Sequence, residues 1–179
     1  MSRRIHIVGR KNSGKTTLLC ELVHDFTTRG LKVATVKHTH HHHELDAPGK
    51  DSHKHREAGA IAVGILSPKM TALFVPIDRE QCGDSRYAGF ERQFADCDII
   101  LVEGDLQTSA QRIEVWRSVS GEAPYAANDS AIFAVISDDA PPGIQCAVWR
   151  RGNVKDIADK ILKSLGLQSD TAHSQPREV

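Results

Sequence analysis

The chain has 179 residues, with 23 Lys and Arg against 23 Asp and Glu, so its formal charge is zero. That length suffices for one domain with its own core, and the balanced charge argues against generic binding to nucleic acid or to a membrane surface. No apolar run approaches the roughly 20 residues that a membrane-spanning helix needs, and no signal peptide precedes the first strand pattern, so we expect a cytoplasmic protein.

The first predicted elements form a strand–helix–strand unit. Residues 5–8 are a short apolar run that predicts a buried strand. Residues 15–29 carry apolar side chains at helical spacing, and Gly30 supplies the stop signal. Residues 31–36 predict a second strand. A βαβ unit of this kind favours a parallel sheet.

The turn between the first strand and its helix contains a phosphate-binding motif. Residues 9–16 match G-x-x-x-x-G-K-[ST] in full, after a strand and at the start of a helix. The two glycines, Gly9 and Gly14, let backbone N–H groups surround phosphate oxygens. The ammonium group of Lys15 neutralises the β- and γ-phosphates, and the hydroxyl of Thr16 is a hard ligand for Mg²⁺. We predict Mg²⁺ binding by Thr16 and nucleotide binding by Gly9, Arg10, Lys11, Asn12, Ser13, Gly14, Lys15, Thr16 and Thr17.

The polar segment at residues 37–54 contains four consecutive histidines at residues 40–43. Adjacent histidines of an extended chain point to opposite sides, so this run favours adventitious Ni²⁺ or Zn²⁺ binding over a structural zinc site. The segment leaves the same sheet edge as the phosphate loop. Asp46 is therefore a candidate metal-site residue that reaches a Mg²⁺-bound water, and Asp51 is a candidate catalytic residue. A solvated loop that leads into a helix at Ser52 is the alternative.

The next elements are rich in β-branched and apolar residues. Residues 60–66 and 70–75 are two strand-like runs, and the Ser-Pro-Lys between them suggests a hairpin or adjacent strands. Residues 84–94 are predicted to form a helix.

A second predicted metal ligand follows at the end of a strongly apolar strand, residues 98–103. Asp98 begins this strand and Glu103 ends it. Ligands of open α/β sheets bind outside the carboxyl ends of the strands, so we assign the Mg²⁺ role to Glu103. The alternative is a solvated acid in the turn before Gly104.

The remaining pattern completes a single fold. We predict strands at residues 112–117, 130–136 and 146–149 and a closing helix at 153–165. The whole predicts an α/β P-loop NTPase fold, in which a mostly parallel central sheet has helices on both faces and an added β-rich segment. We expect one domain over residues 1–167 and a disordered polar tail over residues 168–179.

Several motifs occur together in a specific order. They are Asn-Ser-Gly-Lys-Thr-Thr-Leu at residues 12–18, Val-Lys-His-Thr-His at 36–40, Asp-Ala-Pro-Gly-Lys-Asp-Ser at 46–52, Arg-Glu-Ala-Gly-Ala at 56–60, Ile-Leu-Val-Glu-Gly at 100–104 and Arg-Ile-Glu-Val at 112–115. In these motifs the chain resembles the molybdopterin-guanine dinucleotide biosynthesis adapter family (MobB), from about residue 5 to residue 140.

The resemblance implies a GTP-binding protein, a weak GTPase at most, that assists the guanylyltransferase attaching GMP to molybdopterin. It also implies a homodimer with an extended mixed sheet, and it leaves open whether molybdopterin itself contacts this chain. The sequence departs from the family at Asp105-Leu106, where the family usually has an aromatic residue and a lysine. The histidine run is also longer than the family's usual pair.

The sequence lacks the N-K-x-D signature that usually recognises guanine. Asp138 follows a predicted strand, at a place where a carboxylate could accept hydrogen bonds from guanine, and is our candidate base contact. Two other functions share the phosphate loop. A metallochaperone-type GTPase would use the histidines, and a small-molecule kinase would need a lid arginine, for which Arg79, Arg86 and Arg92 are candidates.

Overall fold

The computed structural model describes residues 3–39, 44–75 and 83–167. These residues form two compact units, one from residues 3–39 and 83–167 and the other from residues 44–75. The single domain over residues 1–167 stays a prediction, and the tail at 168–179 lies outside the described residues. Within the described ranges, no helix is both long and apolar enough to cross a membrane.

The described residues contain both strands and helices. In chain order they are β1 (Arg4–Val8), α1 (Lys15–Thr28), β2 (Val33–Lys37), α2 (Asp51–Glu57), β3 (Val63–Leu66), β4 (Thr71–Phe74), a 3₁₀ turn (Gly83–Tyr87), α3 (Ala88–Gln93), β5 (Ile99–Glu103), β6 (Gln111–Val115), 3₁₀ turns at Ser118–Ser120 and Tyr125–Ala127, β7 (Ile132–Ile136), β8 (Ala147–Trp149) and α4 (Val154–Ser164).

The first unit is built on a six-stranded sheet in the order β2-β5-β1-β6-β7-β8. Every neighbouring pair in this sheet is parallel, with Ile5 of β1 opposite Leu101 of β5 and Gln111 of β6. All six carboxyl ends therefore meet at one edge, where a ligand site is expected. The predicted α/β fold with a mostly parallel sheet is confirmed.

One face of this sheet packs against α1 and α4. The strand residues on that face are apolar, and they meet buried helix residues such as Leu22, Phe26 and Ile161. On α4, Asn153 caps the helix, because its side chain accepts a hydrogen bond from the N–H of Asp156.

The other face packs against Tyr87, Phe94 and the segment around Ala126. Helices thus lie on both faces, as predicted. The expected single helix at 84–94 is instead a 3₁₀ turn followed by the short α3. In the 3₁₀ turn, Asp84 binds Thr108 and Ser109, and Arg86 binds the carbonyl of Gln107, so these side chains serve tertiary contacts.

Several side chains on this second face of the sheet are polar and nevertheless buried. Arg4, His6, Arg112 and Glu114 are all less than a tenth exposed. Arg4 pairs with Asp84 and with Glu91, and Arg112 lies 2.9 Å from Asp129. Buried charges of this kind persist in proteins only when they are paired.

The second unit contains α2 and an antiparallel β3–β4 hairpin, which confirms the predicted hairpin. Arg56 of α2 holds the unit together. Its guanidinium lies 2.6 Å from the Glu44 carboxylate and 5.7 Å from the centre of the Phe74 ring.

Candidate nucleotide site

The phosphate loop leaves the carboxyl end of β1 and packs against the end of β6. Gly9 has φ 142° and Gly14 has φ 95°, values that favour glycine. A Cβ on Gly9 would lie 2.3 Å from the carbonyl oxygen of Val115, closer than any real contact. The loop therefore needs glycine at this position both for backbone angle and for space.

Several polar groups of the phosphate loop have no partner among the described residues. Helix α1 begins at Lys15, so the N–H groups of its first turn face the loop without intrahelical partners. Ser13 is 3% exposed, and its hydroxyl has no hydrogen-bond partner within the described residues. Helix amino termini and loop N–H groups of this kind fit an anion such as phosphate. The exposed side chains of Lys11, Asn12 and Thr17 border the same loop.

Lys15 lies inside the loop. Its ammonium group donates to the carbonyl oxygen of Arg10 at 2.6 Å. Burial lowers the pKa of Lys15, while nearby Glu103 raises it and nearby Lys37 lowers it. The ammonium group is thus partly stripped of water, which strengthens its attraction to an anion.

Thr16 and Glu103, the two residues assigned to Mg²⁺ from the sequence, are in direct contact. The Thr16 hydroxyl donates to a Glu103 carboxylate oxygen at 2.8 Å, across the junction of α1 and β5. Lys37 at the end of β2 lies 3.9 Å from the same oxygen. A hydroxyl and a carboxylate are ligands that Mg²⁺ accepts. Among residues 3–39, 44–75 and 83–167, no cluster of three or more His, Cys, Asp or Glu is placed to hold a metal ion.

Asp46 and Asp51 both belong to the second unit. Asp46 is buried and accepts hydrogen bonds from the Ala47 N–H at 2.8 Å and from the Ser52 hydroxyl at 3.0 Å. Asp51 is exposed as the first residue of α2. Their roles toward Mg²⁺ and catalysis stay predictions. The histidines at residues 40–43 and Arg79 lie outside the described residues.

Asp138 follows β7 at the same sheet edge. Its carboxylate is exposed and accepts a hydrogen bond from the N–H of Gly152 at 3.2 Å. Gly152 belongs to the turn after β8, so the ends of β7 and β8 meet at this aspartate. Asp138 is separated from the phosphate loop by β6 in the sheet order.

The departure at Asp105 has a structural role. This residue has φ 67° and a buried carboxylate that accepts from the Tyr87 hydroxyl at 2.7 Å and the Gln107 N–H at 2.9 Å. Arg86 lies 3.2 Å from the same carboxylate. Burial raises the pKa of Asp105, but these partners outweigh it and the pKa is lowered. Arg86, one of the candidate lid arginines, is therefore held by contacts within the first unit. Arg92, another candidate, is exposed on α3.

Sequence reasoning missed the side-chain contacts of Arg10. Its guanidinium lies 2.6 Å from the carboxylate of Glu122 and 4.3 Å from the centre of the Tyr125 ring. Below them, buried Glu114 accepts from the N–H groups of Tyr125 and Ala126, both at 2.9 Å. Burial raises the pKa of Glu114, although these hydrogen bonds oppose the shift. The charged positions within the apolar strand at 112–115 were the available signal.

Comparison with known proteins agrees with this fold and identifies the family. The chain is 29% identical over 157 residues to the molybdopterin-guanine dinucleotide biosynthesis adapter protein of Escherichia coli (strain K12), covering 88% of this chain and 90% of that relative. The adapter protein of Haemophilus influenzae is 31% identical over 155 residues, covering 87% of this chain and 85% of that relative.

Solved structures give the same picture. A crystal structure of molybdopterin-guanine biosynthesis protein B has a TM-score of 0.65 at 30% identity, covering 90% of this chain and 99% of that chain. The MobB homolog from Bacillus stearothermophilus, at 20% identity and a TM-score of 0.64, shares the fold. The family model described as molybdopterin guanine dinucleotide synthesis protein B (MobB) matches residues 4–138. The chain belongs to the MobB family.

Proposed function

We propose that this protein is a GTP-binding adapter that assists a guanylyltransferase in attaching GMP to molybdopterin. The observation that carries the proposal is the contact of Thr16 with Glu103 beside the ammonium group of Lys15, at the carboxyl edge of the sheet. The names of the two bacterial relatives supply the biosynthetic pathway.

The proposed ligand is GTP with Mg²⁺, which would bring a triphosphate and a guanine base to this edge. Backbone N–H groups of residues 10–16 would bind phosphate oxygens, and Lys15 would neutralise them. Thr16 and Glu103 would hold Mg²⁺. Any hydrolysis would be weak, since phosphoryl transfer to water needs a residue that positions the water. The catalytic role of Asp51 and the metal role of Asp46 stay predictions from the sequence.

Guanine recognition is assigned to Asp138. A carboxylate accepts two N–H hydrogen bonds from guanine, whereas the adenine edge presents an acceptor at the corresponding ring nitrogen. The position of Asp138, at the carboxyl ends of β7 and β8, supports this assignment because the phosphate loop opens at the same edge.

We also propose a homodimer, formed through the β3–β4 hairpin. Leu66 and Leu73 share one face of the hairpin and are 85% and 66% exposed, and Met70 beside them is 73% exposed. Exposed apolar strands with free edges favour pairing with another strand. A second copy would extend the hairpin into a larger sheet. Light scattering should then show dimers for the natural protein and monomers for Leu73→Glu, with Val119→Glu in the first unit as the control.

The proposed setting is the cytoplasm, and the proposed partner is the guanylyltransferase. Cys20, Cys97 and Cys146 are free thiols, as is usual in reducing compartments.

The decisive experiment measures guanylation of molybdopterin by the purified transferase, with GTP and Mg²⁺, in the presence and absence of this protein. We expect faster product formation with the natural protein and not with Lys15→Ala. Equal rates in all three reactions would contradict the proposal.

A further inference from the structure

The segment at residues 117–127, here named the strap, runs from the end of β6 to the last 3₁₀ turn before β7. It contains the turns Ser118–Ser120 and Tyr125–Ala127, with Gly121 at φ 69° between them. Since β6 lies next to β1 in the sheet, the strap begins beside the phosphate loop.

The strap is fastened to the sheet by one buried carboxylate. Glu114 is 0% exposed and is the penultimate residue of β6. Its two oxygens accept one hydrogen bond each, from the N–H of Tyr125 and from the N–H of Ala126. Trp116 adds a second attachment, because its indole N–H donates to the carbonyl of Glu122 at 2.9 Å. The Ser118 N–H also donates to the Asp139 carboxylate, after β7, at 2.7 Å. The position of the strap is therefore set by residues of β6, of its end and of the segment after β7.

The strap contacts the phosphate loop through the Arg10 side chain. The Arg10 guanidinium contacts the Glu122 carboxylate and the face of Tyr125. The carbonyl of Arg10 is the acceptor for both the Lys15 ammonium group and the Ser13 N–H, at 2.6 and 3.2 Å. Arg10 thus connects the strap to the two loop residues that would lie closest to phosphate.

We propose that the strap positions the phosphate loop, with Glu114, Glu122 and Tyr125 acting as positioning residues through Arg10. The effect on GTP affinity rests on the proposed function. The positioning of the loop rests on the contacts of Arg10 described above. The strap holds the Arg10 side chain, and the Arg10 carbonyl orients Lys15 and Ser13. Without the strap, the loop samples conformations that do not surround a phosphate, and affinity falls with the fraction of competent loops.

Two properties of the contact set the size of the effect. The ion pair is partly exposed, with side-chain exposures of 30% for Arg10 and 57% for Glu122. A partly exposed ion pair and a cation–π contact are each weak, so losing both should weaken GTP binding about fivefold. The fold itself does not depend on them, because the core of the first unit is formed elsewhere.

The test combines hydrogen exchange of the ligand-free protein with GTP titration. Arg10→Gln, Glu122→Gln and the double variant remove the contact, and Arg117→Gln removes the same charge from an exposed position in the strap. We expect faster amide exchange at residues 10–14 in all three proteins. GTP binding should be about fivefold weaker in Arg10→Gln and in the double variant, and less weakened in Glu122→Gln, which keeps the contact of Arg10 with Tyr125. The double variant should be no weaker than Arg10→Gln, since that single change already removes both contacts. Arg117→Gln should match the natural protein.

Glu114→Gln tests whether the Glu114 carboxylate holds the strap on the sheet. This variant should show faster amide exchange at residues 125 and 126 and also at residues 10–14. If that variant fails to fold, Tyr125→Leu tests the connection to Arg10 instead. Unchanged exchange at residues 10–14 in Arg10→Gln and Glu122→Gln overturns the inference, whatever the nucleotide result. A natural protein that binds no GTP, with exchange changed as expected, would refute the proposed function and leave the strap in place.

Discussion

The hydroxyl of Thr16 lies 2.8 Å from a carboxylate oxygen of Glu103, and this contact joins the first turn of α1 to the last residue of β5. The two residues are far apart in sequence, and they meet because β1 and β5 are parallel neighbours with aligned carboxyl ends. Both side chains carry the hard oxygen atoms that Mg²⁺ prefers.

Replacing Glu103 by Gln should reduce the effect of Mg²⁺ on GTP binding. The amide keeps the shape but removes the negative charge, so we expect the ratio of affinities with and without Mg²⁺ to fall about tenfold. Calorimetric titration with MgCl₂ or with EDTA measures this ratio. Glu57→Gln, an exposed acid of the second unit, is the control. An unchanged ratio in Glu103→Gln would remove Glu103 from the metal site.

Replacing Lys15 by Ala should remove most of the affinity for triphosphates. A charge-assisted contact with phosphate is lost, and we expect about 10- to 100-fold weaker binding. Lys11→Ala is the matched control, because Lys11 lies in the same loop with an exposed side chain. Equal losses in both variants would indicate general electrostatic attraction in place of a defined phosphate site.

Replacing Gly9 by Ala should destabilise the first unit. The new Cβ meets the carbonyl of Val115 and the backbone has φ 142°, so we expect a loss of about 2–4 kcal/mol in the free energy of unfolding. Gly30→Ala separates the two causes, because Gly30 has φ 85° but no heavy atom within 4 Å of the added Cβ. That control should lose only about 1 kcal/mol. Urea denaturation provides both values, and equal losses would contradict the steric explanation.

His6 should make stability depend on pH. Its Nδ1–H donates to the carbonyl of Gly104, and burial lowers the pKa from 6.5 to about 4. Between these values the unfolded histidine binds a proton that the folded one does not, so the free energy of unfolding decreases as pH falls, by roughly 3 kcal/mol in total. That contribution is fully present above pH 6.5.

The variant His6→Asn keeps an N–H donor toward Gly104 without a titrating ring. Urea denaturation at a series of pH values should show a shallower decrease for this variant than for the natural protein. His24→Asn, at an exposed position of α1, should keep the natural slope. Parallel curves for His6→Asn and the natural protein would contradict the assignment.

Replacing Asp138 by Asn should reduce the preference for GTP over ATP. The amide replaces one acceptor with a donor, and we expect the preference to fall about tenfold. Competition titrations with both nucleotides measure it, and Asp159→Asn on α4 removes the same charge away from the strand ends. If discrimination is unchanged in Asp138→Asn, another residue recognises the base.

The sequence indicated the elements of the first unit because their apolar periods are clear, and it located the phosphate loop because the motif is local. The polar residues of the second sheet face were not foreseen. Arg4 and His6 alternate with Ile5 and Ile7 along β1, and all four residues are buried. In a strand that is buried on both faces, the sequence pattern does not tell whether a charged side chain is paired inside the protein or exposed to water. The contact of Arg10 with Glu122 was equally hidden, because it depends on strand order and on where β6 ends.

The sheet order also has a consequence for how the chain folds. The central strand β1 has no partner until β5 and β6 have been synthesised, because Ile5 pairs with Leu101 and Gln111. Such distant pairings give a high contact order and slow folding. On the ribosome, β1, α1 and β2 must wait with apolar surface exposed while the hairpin unit is translated. This interval is when we expect the nascent chain to need chaperone protection.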